Sequence, residues 1–266
     1  MSWQEMQAHA HAGTHAYVPG SPHLRHPQLV ERLSRTFLEV VDDTREAGLS
    51  STVLDIGAGQ GDFTVWALAA GCSVTATDMS RESIGVMEER FQANPSFCAV
   101  LDPEGSLADL DSARFSIVLC SSVLHHIPDY LGFIEETVLD HLEPGGSLFA
   151  FQDPLWYPRV GRVNRWASQA AYYAWRATRG SYARGFSTVS RRIAGRTDES
   201  KEADMVEFHV VRQGVDEIAI QRALENRFDR VEVERYWSTQ ARSLQWVGER
   251  LNLRNTFLVR ASGFHS

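Results

Sequence analysis

Residues 53–63 read Val53-Leu54-Asp55-Ile56-Gly57-Ala58-Gly59-Gln60-Gly61-Asp62-Phe63. A short apolar run enters D-x-G-x-G-x-G, and a helix candidate over 62–70 follows. The glycines let the backbone turn sharply and bring bare N–H groups up to a ligand. A dinucleotide-binding loop has the form G-x-G-x-x-G and needs glycine at 62, where this chain has Asp62. An acid at that helix start would repel a pyrophosphate, which argues against a nicotinamide dehydrogenase. Asp55, at the strand's end, is equally poor company for a phosphate and suits a ligand bearing an ammonium group.

Outward from this loop, apolar runs and helical stretches alternate. Strands are expected near 52–57, 73–78, 97–101, 115–120 and 147–152, with helices near 62–70, 80–92 and 129–142. Several strands are apolar on nearly every residue, as in a parallel sheet covered on both faces. Leu142-Glu143-Pro144-Gly145-Gly146 is a stop-and-turn signal before the fifth strand. The alternation predicts an α/β fold with a doubly wound sheet. Two later strands are expected over 231–237 and 255–262, separated by a helix around 240–250. The organisation read from this is an N-terminal arm over 1–30, a core over 31–153, an insertion over 154–230 and a return to the core over 231–266.

The chain has 266 residues, 43% hydrophobic and 23% charged, with a net charge of −8. The length fits one α/β domain, or one domain with an insertion, and the acidic balance argues against general nucleic-acid binding. No apolar run is long enough to span a membrane, and the N-terminus does not read as a secretory signal. The three cysteines, Cys72, Cys98 and Cys120, fit free thiols in a reducing cytoplasm. His9, His11 and His15 lack a nearby residue to complete a metal site, so no metal is expected.

Two further acids follow strands. Asp78 closes SVTATD, and ligands of α/β sheets lie beyond the carboxyl ends of the strands. A carboxylate there can accept both ribose hydroxyls of a nucleoside, while Ser80 is the better helix cap. Asp102, after CAVL, can accept from an adenine amino group or serve as the turn residue of Asp-Pro-Glu-Gly. Met79 can pack on adenine or lie in the core.

VLDIGAGQGDF, TATDMS, FSIVLCSSVLHHIPD and LEPGGSLFAF together resemble the successive motifs of class I S-adenosylmethionine-dependent methyltransferases, over about residues 50–153. The resemblance implies a seven-stranded, mostly parallel sheet with an antiparallel final strand. It implies that Gly57 and Gly59 face the methionine part of S-adenosylmethionine, Asp78 the ribose and Asp102 the adenine, with Cys120 and Ser121 beside the cofactor. Ser21-Pro22-His23-Leu24-Arg25-His26-Pro27 resembles the segment that closes over the cofactor in small-molecule members, where Arg25 would pair with the methionine carboxylate.

Methyl transfer requires an in-line nucleophile and, for a hydroxyl or ammonium, a base. His125 and His126 follow the fourth strand and Asp153 the fifth, which resembles the His-His plus Asp arrangement of natural-product and sugar methyltransferases. Histidine titrates near working pH, which suits the role. The competing reading makes the two histidines helix-start residues.

The insertion is the least standard region. Residues 155–200 hold nine Arg and two acids in an otherwise acidic chain. Stepping ~100° per residue over 160–179 gathers Arg162, Arg165, Arg176 and Arg179 on one face. Val163, Ala167, Ala170, Ala174 and Ala177 fall on the opposite face, expected to pack on the domain. Trp156, Arg162, Trp166 and His209 are candidate substrate residues of such a lid, though His209 also suits a structural role. The arginines are expected to meet an anionic substrate group first, the acidic body second and a membrane surface third. The expected function is methylation of a small-molecule acceptor, with a non-methylating step such as cyclisation, or a non-catalytic binding module, as alternatives.

Overall fold

The computed structural model describes residues 26–178 and 214–265. The arm's Arg25, the histidines at 9, 11 and 15, and His209 lie outside them. Helix α1 runs Pro27–Glu46, so it begins inside the stretch the sequence assigns to the arm. Pro27 sits in its first turn, where the missing N–H costs nothing. Leu29, Leu33, Phe37, Val40, Val41 and Thr44 form its buried stripe. His26, buried just before it, places Nε2 2.5 Å from the Thr239 carbonyl oxygen and ties the helix start to a distant loop.

The remaining elements follow as β1 Thr52–Ile56, α2 Thr64–Ala69, β2 Ser73–Asp78, α3 Arg81–Phe91, β3 Phe97–Leu101 and β4 Phe115–Ser121. Helix α4 is Tyr130–Phe133, β5 is Leu142–Pro154, and α5 is Arg162–Thr178. Helix α6 Glu217–Glu225, β6 Phe228–Tyr236, α7 Arg242–Arg250 and β7 Thr256–Phe264 complete the order. The expected helix over 129–142 forms without a gap but changes pitch: a π turn, Ile134–Val138, and a 3₁₀ turn, Leu139–His141, continue α4. The wide turn brings Ile134, Val138 and Leu139 into the same core, which a regular helix would not do with residues five apart.

All seven expected strands form one sheet in the order β3-β2-β1-β4-β5-β7-β6. Strands β1 to β5 pair in parallel, and β7 runs antiparallel to both β5 and β6. The carboxyl ends of β1 to β5 therefore share one rim, with the order reversing between β1 and β4. One face is covered by α1 and α2 over Phe149 and Phe151. The other is covered by Leu124, the π turn and α6 over Leu148 and Ala150. Arg260 of β7 pairs with Glu39 and Asp43 of α1, fastening the first helix to the last strand.

Helix α7 packs closely enough that Gly248 lies against the indole of Trp237, and a Cβ there would collide with it. Trp237 is buried and donates to the Leu244 carbonyl at 3.0 Å, so it is not free to retreat. Gly248→Ala should therefore cost about 1–3 kcal/mol of stability, read as a lower urea midpoint with the slope unchanged. An unaltered midpoint would refute the close contact.

The insertion begins and returns at one point. Leu155 bridges Val215, and Val215 N donates to the Pro154 carbonyl at 3.0 Å. Arg159 bonds Asp216 and reaches Glu217 at 3.5 Å, and the Asp216 N–H donates to the Tyr130 hydroxyl at 3.0 Å. Helix α5 does not pack as expected. Val163 is 71% exposed, and Ala170 and Ala174 are also exposed. The side turned to the protein carries Asn164, Ala167, Ser168 and Ala171 instead, with Asn164 accepting from Arg254 N at 3.1 Å. Small side chains at that spacing allow close approach, and alanine is too weakly apolar to orient a helix alone. Among the described residues no helix is long and apolar enough to cross a membrane.

Candidate active site

The glycine loop follows β1 in a tight turn. Gly57, Gly59 and Gly61 all have positive φ, which favours glycine at each. The three positions differ in their surroundings. A Cβ on Gly57 would stand 2.6 Å from Val123, and one on Gly61 2.6 Å from Phe91 of α3. Among the described residues, a Cβ on Gly59 would meet nothing within 4 Å. Gly57 and Gly61 thus serve packing as well as the turn, and Gly59 borders open space.

Asp78 holds this loop. One oxygen accepts from Gly59 N at 2.8 Å and the other from Ser80 N at 2.8 Å. Ser80 caps α3, accepting from Ser83 N, as the sequence suggests. Burial raises the Asp78 carboxyl above its usual range, against the opposing bonds from Ser80, Gly59 and Ser83. A carboxylate offers about four acceptor sites, so both oxygens retain capacity for a ligand.

Asp55 is 1% exposed, and its Oδ2 accepts from the Thr64 hydroxyl at 2.6 Å. Its Oδ1 is buried and has no hydrogen-bond partner among the described residues. Burial pushes its carboxyl up to about 7; the Thr64 bond opposes this and the Asp78 charge adds to it. A cation brought to Asp55 would favour the ionised form. Asp102 accepts from Ser106 N at 3.2 Å and Leu107 N at 3.0 Å, so it organises its own turn. Met79 is half-buried beside that turn, its sulfur 3.8 Å from where a Cβ on Gly105 would lie.

At the ends of β4 and β5 the structure joins two candidates. The Nδ1 of His125 lies 2.7 Å from Asp153 Oδ1, and the same oxygen accepts the His125 backbone N–H at 3.0 Å. Asp153 is fully buried, and its Oδ2 has no hydrogen-bond partner among the described residues. A carboxylate at Nδ1 selects the tautomer protonated there and leaves Nε2 as the ring's acceptor. His126 lies beside it, ring centroids 4.0 Å apart and planes tilted by 40°. Cys120 is buried, and its thiol is raised by burial and by the charges of Asp153 and Asp55, which disfavours the thiolate. Ser121 is buried and its hydroxyl has no hydrogen-bond partner among the described residues.

The lid candidates are less gathered. Trp156 is half-buried under Arg159, whose guanidinium carbon stands 4.5 Å from the ring. Arg162 is exposed, and Trp166 is 72% exposed. The sequence reading missed Arg90, which bonds Asp62 at 3.0 Å and the Gln60 carbonyl at 2.9 Å. The acid that breaks the dinucleotide pattern therefore anchors the loop to α3. An acid-base pair about one βα unit apart was the available signal.

Residues 54–148 match a family model described as a methyltransferase domain. The chain is 32% identical over 107 residues to a ubiquinone biosynthesis O-methyltransferase from Aromatoleum aromaticum, covering 40% of this chain and 45% of that protein. It is 32% identical over 95 residues to the Escherichia coli O-antigen chain terminator bifunctional methyltransferase/kinase WbdD, covering 35% and 13%. The chain thus spans less than half the length of these curated relatives. The N-methyltransferase NodS from Bradyrhizobium japonicum, solved with S-adenosyl-L-homocysteine, aligns with 98% of this chain and 97% of its own at a TM-score of 0.54 and 16% identity. A S-adenosylmethionine-dependent methyltransferase from Archaeoglobus fulgidus aligns with 88% and 93% at 0.52 and 15%. These likenesses bear on the fold.

Proposed function

We propose that this protein methylates a small-molecule acceptor from S-adenosylmethionine, with His125 as the base, because residues 54–148 match a methyltransferase-domain model and the sheet order fits the class I methyltransferase fold. The observation that carries the reading is the contact between His125 Nδ1 and the buried Asp153 at the strand rim that also bears the glycine loop.

The residues fit the cofactor. Asp55 Oδ1, buried and without a hydrogen-bond partner among the described residues, suits an ammonium, and the space those residues leave beside Gly59 suits the methionine part. Asp78 retains acceptor capacity for the ribose, and Asp102 and Met79 border the expected adenine position. The Ser121 hydroxyl needs a partner that a ligand can provide. Bound there, S-adenosylmethionine supplies an electrophilic methyl on a sulfonium. His125 Nε2 takes the proton from the acceptor's hydroxyl or ammonium, while Asp153 stabilises the imidazolium and fixes the ring. Trp156, three residues beyond Asp153, is the candidate substrate residue of the lid nearest in sequence to this chemistry, and Arg162, Trp166, Arg25 and His209 complete the expected ligand set. The acceptor chemistry of the O- and N-methyltransferase relatives fits a hydroxyl or an amine, and the free cysteines fit a reducing cytoplasm.

The test is calorimetry with S-adenosylmethionine and S-adenosylhomocysteine, followed by mass spectrometry of a panel of phenols, sugar hydroxyls and amines incubated with the protein. The reading expects binding of both nucleosides and the gain of one methyl on at least one panel member. Binding of neither nucleoside would overturn it.

Asp55 adds a pH dependence. Its carboxyl, pushed up to about 7, is partly protonated in the ligand-free protein near neutrality. A cationic ligand favours the ionised form, so binding releases a proton and affinity should rise from about pH 6 to about pH 8. Calorimetry in two buffers of different ionisation enthalpy measures that proton. Uptake, or no exchange, would contradict the pairing of Asp55 with the cationic end.

A further inference from the structure

Along β5 the side chains alternate. Leu148 and Ala150 belong to the core beneath α6, and Phe149 and Phe151 to the core beneath α1. Continued alternation would turn Asp153 to the α1 face, away from His125. That does not happen. The pairing with β7 passes from Phe151↔Leu258 to Asp153↔Phe257, so two steps on β5 match one on β7 and Gln152 is the extra residue of a bulge.

Gln152 is held there by β6 and the residues after it. Its φ is +70°, in the left-handed region that glycine adopts more readily. Its backbone N–H donates to the Tyr236 hydroxyl at 3.1 Å, and that hydroxyl donates to Gln152 Oε1 at 3.1 Å. Its Nε2 donates to the Ser238 hydroxyl at 2.8 Å. Gln152, Tyr236 and Ser238 are all buried, and Tyr236 belongs to the α1 core. Burial raises the Tyr236 phenol, which keeps it a neutral donor. Phe151 and Gln152 thus both turn to the α1 side. The parity of every later residue is reversed: Leu155 lies in the core with Leu124, the neighbour of His125, and Asp153 meets His125 itself.

We propose that Gln152 is a positioning residue, whose bulge, clamped by Tyr236 and Ser238, turns Asp153 off the α1 face and onto His125. Its value for catalysis rests on the reading of His125 as the base. The orientation itself does not. A strained residue locked by a buried polar network beside a reacting group is a device for aiming a side chain.

The experiment uses the full chain labelled with ¹⁵N and follows the histidine ring signals by NMR, with S-adenosylmethionine calorimetry as the control for folding. The wild type should show His125 as the Nδ1–H tautomer, with a ring proton slow to exchange. Gln152→Gly accepts the same φ and should keep that signal. Gln152→Val, β-branched and ill suited to positive φ, should lose it with S-adenosylmethionine affinity changed less than about threefold. If Gln152→Val retains the signal, the inference is wrong. If Gln152→Val does not fold, Tyr236→Phe decides: proton exchange at His125 should accelerate at least about tenfold, and an unchanged rate overturns the proposal. Methyl transfer by His125→Ala separates the two readings. Full transfer by that variant removes the base while leaving the orientation result intact. Lost transfer with a ring signal indifferent to Gln152 keeps the base and removes the bulge.

Discussion

His125→Ala is expected to lower methyl transfer about 10²–10⁴-fold, the usual contribution of a positioned general base, with S-adenosylmethionine affinity nearly intact. The split follows from geometry: the ring belongs to the ends of β4 and β5 with Asp153, whereas Asp55 and Asp78 lie at the ends of β1 and β2. His126→Ala should cost less, because the carboxylate contact falls to His125. Single-turnover rates with a panel acceptor that gains a methyl, alongside calorimetric affinities, measure both quantities. Full turnover by His125→Ala would reduce the histidines to helix-start residues. It would favour an acceptor already deprotonated in solution, or catalysis by positioning alone.

The strand rim was legible in the sequence because its signals are local. TVLDI and FSIVLC are largely apolar runs of strand length, SVTATD is rich in β-branched residues, and Gly57 and Asp78 mark where the first two strands must turn. Asp55, Asp78, Asp102, His125 and Asp153 could be assigned to that rim because parallel strands bring their carboxyl ends to one edge. Helix α1 was also legible in principle: its stripe from Leu29 to Thr44 has the helical period, but the His- and Pro-rich stretch before it draws the eye away. The face of α5 was not legible. Its Val163 and alanines carry too little burial energy to choose a side, and Asn164 docks through one hydrogen bond to a backbone that no pattern reveals. The bulge at Gln152 was hidden for a similar reason. It depends on Tyr236 and Ser238, more than eighty residues away, and a glutamine at positive φ leaves no mark in the sequence.

Asp78→Ala is the companion case, with its effect on binding. Two charge-assisted hydrogen bonds to a ribose would be lost, each worth roughly 1.5–3 kcal/mol, so the dissociation constant for S-adenosylmethionine should rise about 10²–10⁴-fold. The structure gives this residue a second task, since its oxygens also receive the Gly59 and Ser80 N–H groups. Part of the loss will therefore come through a loosened glycine loop. Asp78→Asn divides the two contributions. The amide retains one oxygen for Gly59 N–H but presents an NH₂ to Ser80 N–H, and it offers the ribose one acceptor in place of two. If the ribose contacts dominate, Asn should recover only a small part of the lost affinity. If the loop dominates, Asn should recover most of it. Neither change should unfold the protein, because the charge it removes is already disfavoured by burial, which raises the Asp78 carboxyl. Calorimetry with S-adenosylmethionine and S-adenosylhomocysteine, which share the ribose but differ in charge at sulfur, should give parallel losses for the two ligands. An unchanged dissociation constant for both would remove Asp78 from the ribose site. A loss confined to S-adenosylmethionine would move its action to the sulfonium.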